Sequence, residues 1–130
     1  MNPISDNLSN TGENRALDFL FGNSPTAPTT PLKVALVTAN GSDTAAGTEV
    51  AGGGYARQSL SAAAAVSGAT SNSADLVYTN MPAATVVGVE IWDSAGTPVR
   101  LWYGALTASR TVAAGDEFRL VAGALTMSIS

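Results

Sequence analysis

The sequence predicts a mainly β protein: a small antiparallel β-sandwich or barrel of seven or eight short strands behind one short N-terminal helix. Apolar residues alternate with a period of two in segment after segment from Leu32 to the C-terminus. Turn residues interrupt that region roughly every ten positions, the spacing of sandwiches and barrels. Helical spacing is confined to the first 21 residues. A chain of 130 residues holds one core. The expected organisation is an N-terminal helical arm (1–23), a Pro-rich linker (24–31) and a β-sandwich domain (32–130).

In the arm, Ile4, Leu8, Ala16, Leu17, Leu20 and Phe21 recur at spacings of three, four and their sums, most clearly from Glu13 to Phe21. Thr11 is the expected N-cap, with Glu13 near the positive end of the helix dipole. Gly22-Asn23 supplies the stop, and Gly12 disfavours an earlier start. Pro25, Pro28 and Pro31 make the linker extended. The arm either docks on a neighbouring molecule or folds back on its own sandwich.

Strands are expected at Leu32–Thr38, Tyr55–Leu60, Ala74–Tyr78, Thr85–Trp92, Val99–Leu106, around Phe118–Leu120, and from Leu125 to the last residue. Asn40–Gly54 reads as a loop and Ser67–Ser73 as a turn. Ala62–Val66 is ambiguous, since four alanines favour helix and their neighbours strand. Asp93–Thr97 is a hairpin loop with Gly96 in it, and Ala113–Asp116 a turn.

Composition restricts function. Charged residues are 12% of the chain, about half the usual share. Ala, Thr, Ser and Gly together supply 63 of 130 residues. No His and no Cys means no Ser-His-Asp triad, no thiol nucleophile, no disulfide and no zinc site of the usual kind. A net charge of −4 argues against nucleic acid or an anionic membrane as partner. Ala62–Val66 is the longest apolar run, far short of a span, and no secretory signal is expected. So few charges over so many strand edges imply a surface sheathed by other protein.

Several motifs suggest chemistry and lack its context. Gly52-Gly53-Gly54 is followed by Tyr55-Ala56-Arg57 rather than the Lys and Ser/Thr of a phosphate loop, so a tight turn or bulge is expected. Asp116 and Glu117 are adjacent and point apart; Glu90 and Asp93 suit a solvated face and a turn cap. Asp43, Asp93 and Asp116 lack the spaced ligand run of a calcium loop. No catalytic residue, cofactor or metal is expected. Trp102 and Tyr103 are neighbours on a strand and must face opposite ways, so one is exposed or at an interface. The candidate interface residues are Leu8, Leu17, Leu20, Phe21, Tyr55, Arg57, Trp102 and Tyr103.

Taken together, Leu32–Ala39, Thr48–Gln58, Thr70–Asp75, Ile91–Asp93, Gly104–Thr107, Val112–Asp116 and Ala122–Leu125 make the chain similar to a family of small phage virion proteins. That family is described as tail-fibre or head-decoration proteins. The "EVAGGGYARQ" run and the "VAAGDEFRLVAGALT" tail are the specific parts. The loop Asn40–Thr48 departs from the family's pattern, with no His following Leu36. The resemblance implies a structural virion component without catalytic residues. The chain has no heptads and no repeated β-motif from which to build a long shaft. The first expectation is therefore a capsid decoration (cement) protein, a homotrimer on the major capsid protein, bridging capsomers by multivalent contact. The alternative is a tail-fibre or tail-tip module for host attachment. Either places the protein in the virion, assembled in the host cytoplasm. A cell-wall enzyme is disfavoured by the missing His, Cys and cleft.

Overall fold

A computed structural model describes residues 4–5 and 8–129. Among these residues there are one helix and ten strands in three sheets, none closed into a barrel. Around this count the expected mainly β, antiparallel class holds.

The largest sheet is built on β2 (Lys33–Ala39), β7 (Ala84–Trp92) and β8 (Arg100–Val112), antiparallel neighbours in that order. Two-residue strands β3 (Thr48–Glu49) and β4 (Gln58–Ser59) share the other edge of β2. A second sheet pairs β6 (Leu76–Tyr78) with β9 (Phe118–Leu120). The third places β10 (Thr126–Ser128) between β5 (Ala69–Ser71) and β1 (Ile4–Ser5), the β1 pairing being parallel.

One hydrophobic cluster joins the sheets. Val34, Leu36, Val89 and Ile91 come from the large sheet, and Leu76, Tyr78, Phe118, Leu120, Leu125 and Met127 from the smaller ones. Tyr78 stacks on Tyr55 at 6.1 Å and meets Phe118 edge-on at 6.0 Å. Its hydroxyl donates to the Val34 carbonyl at 2.9 Å, which satisfies the polar tip of a fully buried ring. Burial raises the Tyr78 phenol well above its ordinary range.

Alternation predicts one buried face for β2, yet Val34, Ala35, Leu36 and Val37 are all fully buried. The second face is covered by the loop 40–47, whose Asn40 side chain fills the space a Cβ would take at Gly88. Glu90 lies on that face and is buried rather than solvated as expected; it accepts the Gly47 amide at 2.7 Å and faces Arg100 at 3.5 Å.

Other departures from expectation are local. Ile4 belongs to a strand, not to the helical stripe. The strand expected at Tyr55–Leu60 shrinks to Gln58–Ser59, and the turn expected at Ser67–Ser73 contains β5. Ala62–Val66 is neither helix nor strand and makes only isolated bridges, Ala62 with Asn72 and Val66 with Ala69. For β1, β4 and β5, pairing with chain distant in sequence, not local pattern, sets the outcome. β8 runs past Leu106 to Val112, with a register shift opposite Val86–Gly88.

Asn72 joins the two smaller sheets. It is buried; its Nδ2 donates to Ala74 at 3.0 Å and Val121 at 3.0 Å, and its Oδ1 accepts the Leu125 amide at 2.9 Å. Asn72→Ala leaves these groups unpaired and is expected to cost about 1–3 kcal/mol. Urea denaturation followed by circular dichroism measures it; an unchanged midpoint would count against Asn72 as a structural tie.

Candidate functional site

The N-terminal helix α1 (Asn10–Leu20) is capped by Ser9, two residues earlier than the expected Thr11, with the Ser9 Oγ accepting the Gly12 amide at 3.1 Å. The same hydroxyl donates to the Arg100 carbonyl at 2.7 Å, and the Ser9 amide to Leu101 at 3.0 Å. The cap therefore also ties the helix to the edge of β8. Gly12 lies against the Leu101 carbonyl so closely that a Cβ there would clash. Tertiary contact explains the glycine that local propensity disfavours.

Helical geometry at 100° per residue puts Gly12, Ala16 and Phe19 on the inner face, Leu17 and Phe21 on the outer one, and Leu20, four residues after Ala16, on the flank between them. Leu17, Leu20 and Phe21 are 55%, 72% and 80% exposed. A surface helix ordinarily shows charge outward. Here the first turn is anchored to the chain's own sheet, and the last turn presents a bare apolar stripe beside Glu13, Asn14 and Asp18.

Beneath the inner face lies an apolar groove of about 460 Å³, between α1, the Pro-rich segment and the sheets. Leu8 and Trp102 line it, and their residues form an isolated antiparallel bridge. Among the described residues, Trp102 Nε1 and Arg15 Nη1 are buried without a hydrogen-bond partner. The Pro-rich segment is held at its end by Thr29, whose amide donates to Asp93 at 3.4 Å. Asp93 caps the hairpin as expected, accepting the Val99 amide at 2.8 Å. Burial opposes its ionisation, but these amides and the Arg15 charge outweigh burial and hold the carboxyl below its usual range.

Tyr103 turns the other way from Trp102. Its hydroxyl donates to Asp43 and its ring lies 4.8 Å from the Arg100 guanidinium. The bond to Asp43 and burial both raise its phenol. Tyr55 and Arg57 are engaged elsewhere. Tyr55 accepts the Leu36 amide at 3.0 Å and donates to Glu49 at 2.6 Å. Arg57 grips Glu49 with two bonds, at 2.9 Å and 2.8 Å, and lies over the Trp92 ring at 4.5 Å. Gly52 and Gly53, with φ of +105° and +54°, make the turn that returns Tyr55 to this cluster.

The eight interface candidates thus fall into two groups. Leu8, Leu17, Leu20, Phe21 and Trp102 gather on and under α1; Tyr55, Arg57 and Tyr103 have their polar groups occupied within the chain. Missed by sequence reasoning are Ser9, Phe19 and Arg15. The only available signal was Ser9 three residues ahead of Gly12.

Among the described residues no group of His, Cys, Asp or Glu is placed to hold a metal, and no helix is long and apolar enough to cross a membrane. Residues 7–128 match the family described as Podophage GP4 fiber I protein gp80. The chain belongs to this family. None of the curated proteins compared with it matches. The family is one of phage fibre proteins, so the chain is read as a structural virion component. The match runs from one residue before Leu8 to Ser128 and takes in α1 together with every later strand. In this fibre-family chain, then, the helix with its bare stripe lies within the matched region.

Ionisation ties the Glu49 cluster to stability. Burial opposes the charge on Glu49, but the Arg57 and Tyr55 bonds overcome it and lower its pKa. That contribution is present above the ordinary carboxylate value and is lost as pH falls through the lowered one; Glu49→Gln is expected to flatten acid unfolding there. Tyr55, Tyr78 and Tyr103 are all raised, so their contribution is complete below pH about 10 and lost as pH rises through the folded values. Absorbance titration at 295 nm should show all three ionising later in native protein than in guanidinium; coincident curves would refute the assignment.

Proposed function

We propose that this chain is a structural, non-enzymatic component of the phage tail fibre, and that it joins its neighbours through α1. Membership of a fibre family supports the tail over the head, and so supports the host-attachment apparatus over the capsid decoration first expected from sequence. The observation that carries the α1 reading is the outward stripe of Leu17, Leu20 and Phe21. A chain with only 16 charged residues leaves four large apolar side chains in water at the end of α1, Phe19 being exposed beside the other three. Such a patch marks a protein contact. The anchored first turn holds the stripe in a fixed direction, which limits the entropy lost on docking. The mechanism is mechanical: apolar surface is buried between subunits, and repetition of the contact over many copies makes the assembly strong.

Immunogold labelling of purified particles is expected to mark the tail; label spread over the head would overturn the fibre assignment. Burying each stripe residue contributes about 1.5 kcal/mol or more. Leu17→Ser, Leu20→Ser and Phe21→Ser combined are therefore expected to weaken attachment roughly a thousandfold. The far-ultraviolet spectrum should stay native. Undiminished incorporation of the triple variant into particles would remove α1 from the contact.

A further inference from the structure

The groove beneath α1 and the stripe on its outer face have complementary character. Phe19, Pro28, Leu60, Trp102 and Met127 are among the groove's walls, and among the described residues Arg15 is its only charged lining residue. The size suits a small ligand, but among the described residues the walls offer no converging set of polar groups to orient one. An apolar occupant held by shape fits better. Leu17, Leu20 and Phe21 stand at i, i+3 and i+4, the spacing of anchors on a helix that lies in an apolar groove.

Phe21 stands on the face away from the groove and Leu20 on the flank, and neither lines it, so a molecule does not place these anchors in its own groove. A second copy can. Charge agrees with this. Glu13 and Asp18 accompany the stripe, and neither has an ion pair among the described residues. Arg15, on the groove wall, has its Nη1 buried without a hydrogen bond and 3.7 Å from Asp93. An incoming helix brings carboxylates toward a guanidinium that is incompletely paired.

We propose that the groove beneath α1 receives Leu20 and Phe21 from a second copy of this chain. The proposal rests on the reading of α1 as the docking element and names its partner. If each copy gives and receives, the contact closes as a dimer; if the exchange runs one way, it builds a ring or a row.

The chain has no cysteine, so engineered thiols report the contact without background. Full-length Leu20→Cys protein is mixed with full-length Ala62→Cys protein, Ala62 being on the groove wall, and oxidised. As control, Leu20→Cys is mixed with Ser109→Cys, an exposed position toward the other end of β8. The mixed disulfide is expected to form at least about tenfold faster with Ala62→Cys, as proximity raises effective concentration. Sedimentation of the wild type should show self-association that Leu20→Ser/Phe21→Ser abolishes while circular dichroism stays native. Equal cross-linking rates, or a wild type that stays monomeric at every concentration, overturn the second-copy assignment. Either result does so even where the stripe variants fail to join particles, an outcome that would leave α1 docking on a different virion protein and the fibre reading intact.

Discussion

The fold depends on burying β2 and β7 on both faces. With Val34 to Val37 wholly enclosed, each side of the central ladder must be covered, and the two covers differ in kind. On one side the smaller sheets bring Tyr78, Phe118 and Leu125 into a dry cluster. On the other, the loop 40–47 closes over Gly88 and Glu90. That side is polar, so its groups must be paired: Glu90 has the Gly47 amide and Arg100, and Arg100 also lies over Tyr103. Removing one partner from such a set leaves a buried charge uncompensated, which is why these few charges sit where they do.

The edge of β8 is the place where this covering stops. Ser9, Gly12 and Leu101 attach the first turn of α1 there through backbone contacts that need a hydroxyl and an absent side chain rather than bulk. Because the attachment uses small residues, the apolar ones further along are not spent on it. Phe19 overhangs a groove and Leu17, Leu20 and Phe21 face outward. The low charge of the chain follows the same logic: surface that is to be covered by other protein has little use for ions.

Glu49, Tyr55 and Arg57 show how a motif recognisable in sequence can serve the interior. The Gly52-Gly53 turn brings Tyr55 back over Tyr78, and Glu49 then accepts from both Tyr55 and Arg57. What looks like a glycine-rich ligand loop is a device for closing the core beside Trp92.

Period-two alternation made the β class, the hairpin at Asp93 and the inward sides of Phe118, Leu120 and Leu125 legible, because strand geometry is a local property of the backbone. Adjacency alone required Trp102 and Tyr103 to diverge, and the spacing of Leu17, Leu20 and Phe21 marked them as one face of a helix. The absence of His and Cys was equally plain. Which way that helix face points was not legible, since a stripe is the same whether it faces the core or the solvent; contact between Gly12 and Leu101 decided it. The burial of Glu90, the second cover on β2, the pairing of β5 and the shortening of the Tyr55 strand were likewise settled by chain far away in sequence. Local pattern fixes what a segment can become, and only long-range packing determines what each of its faces meets.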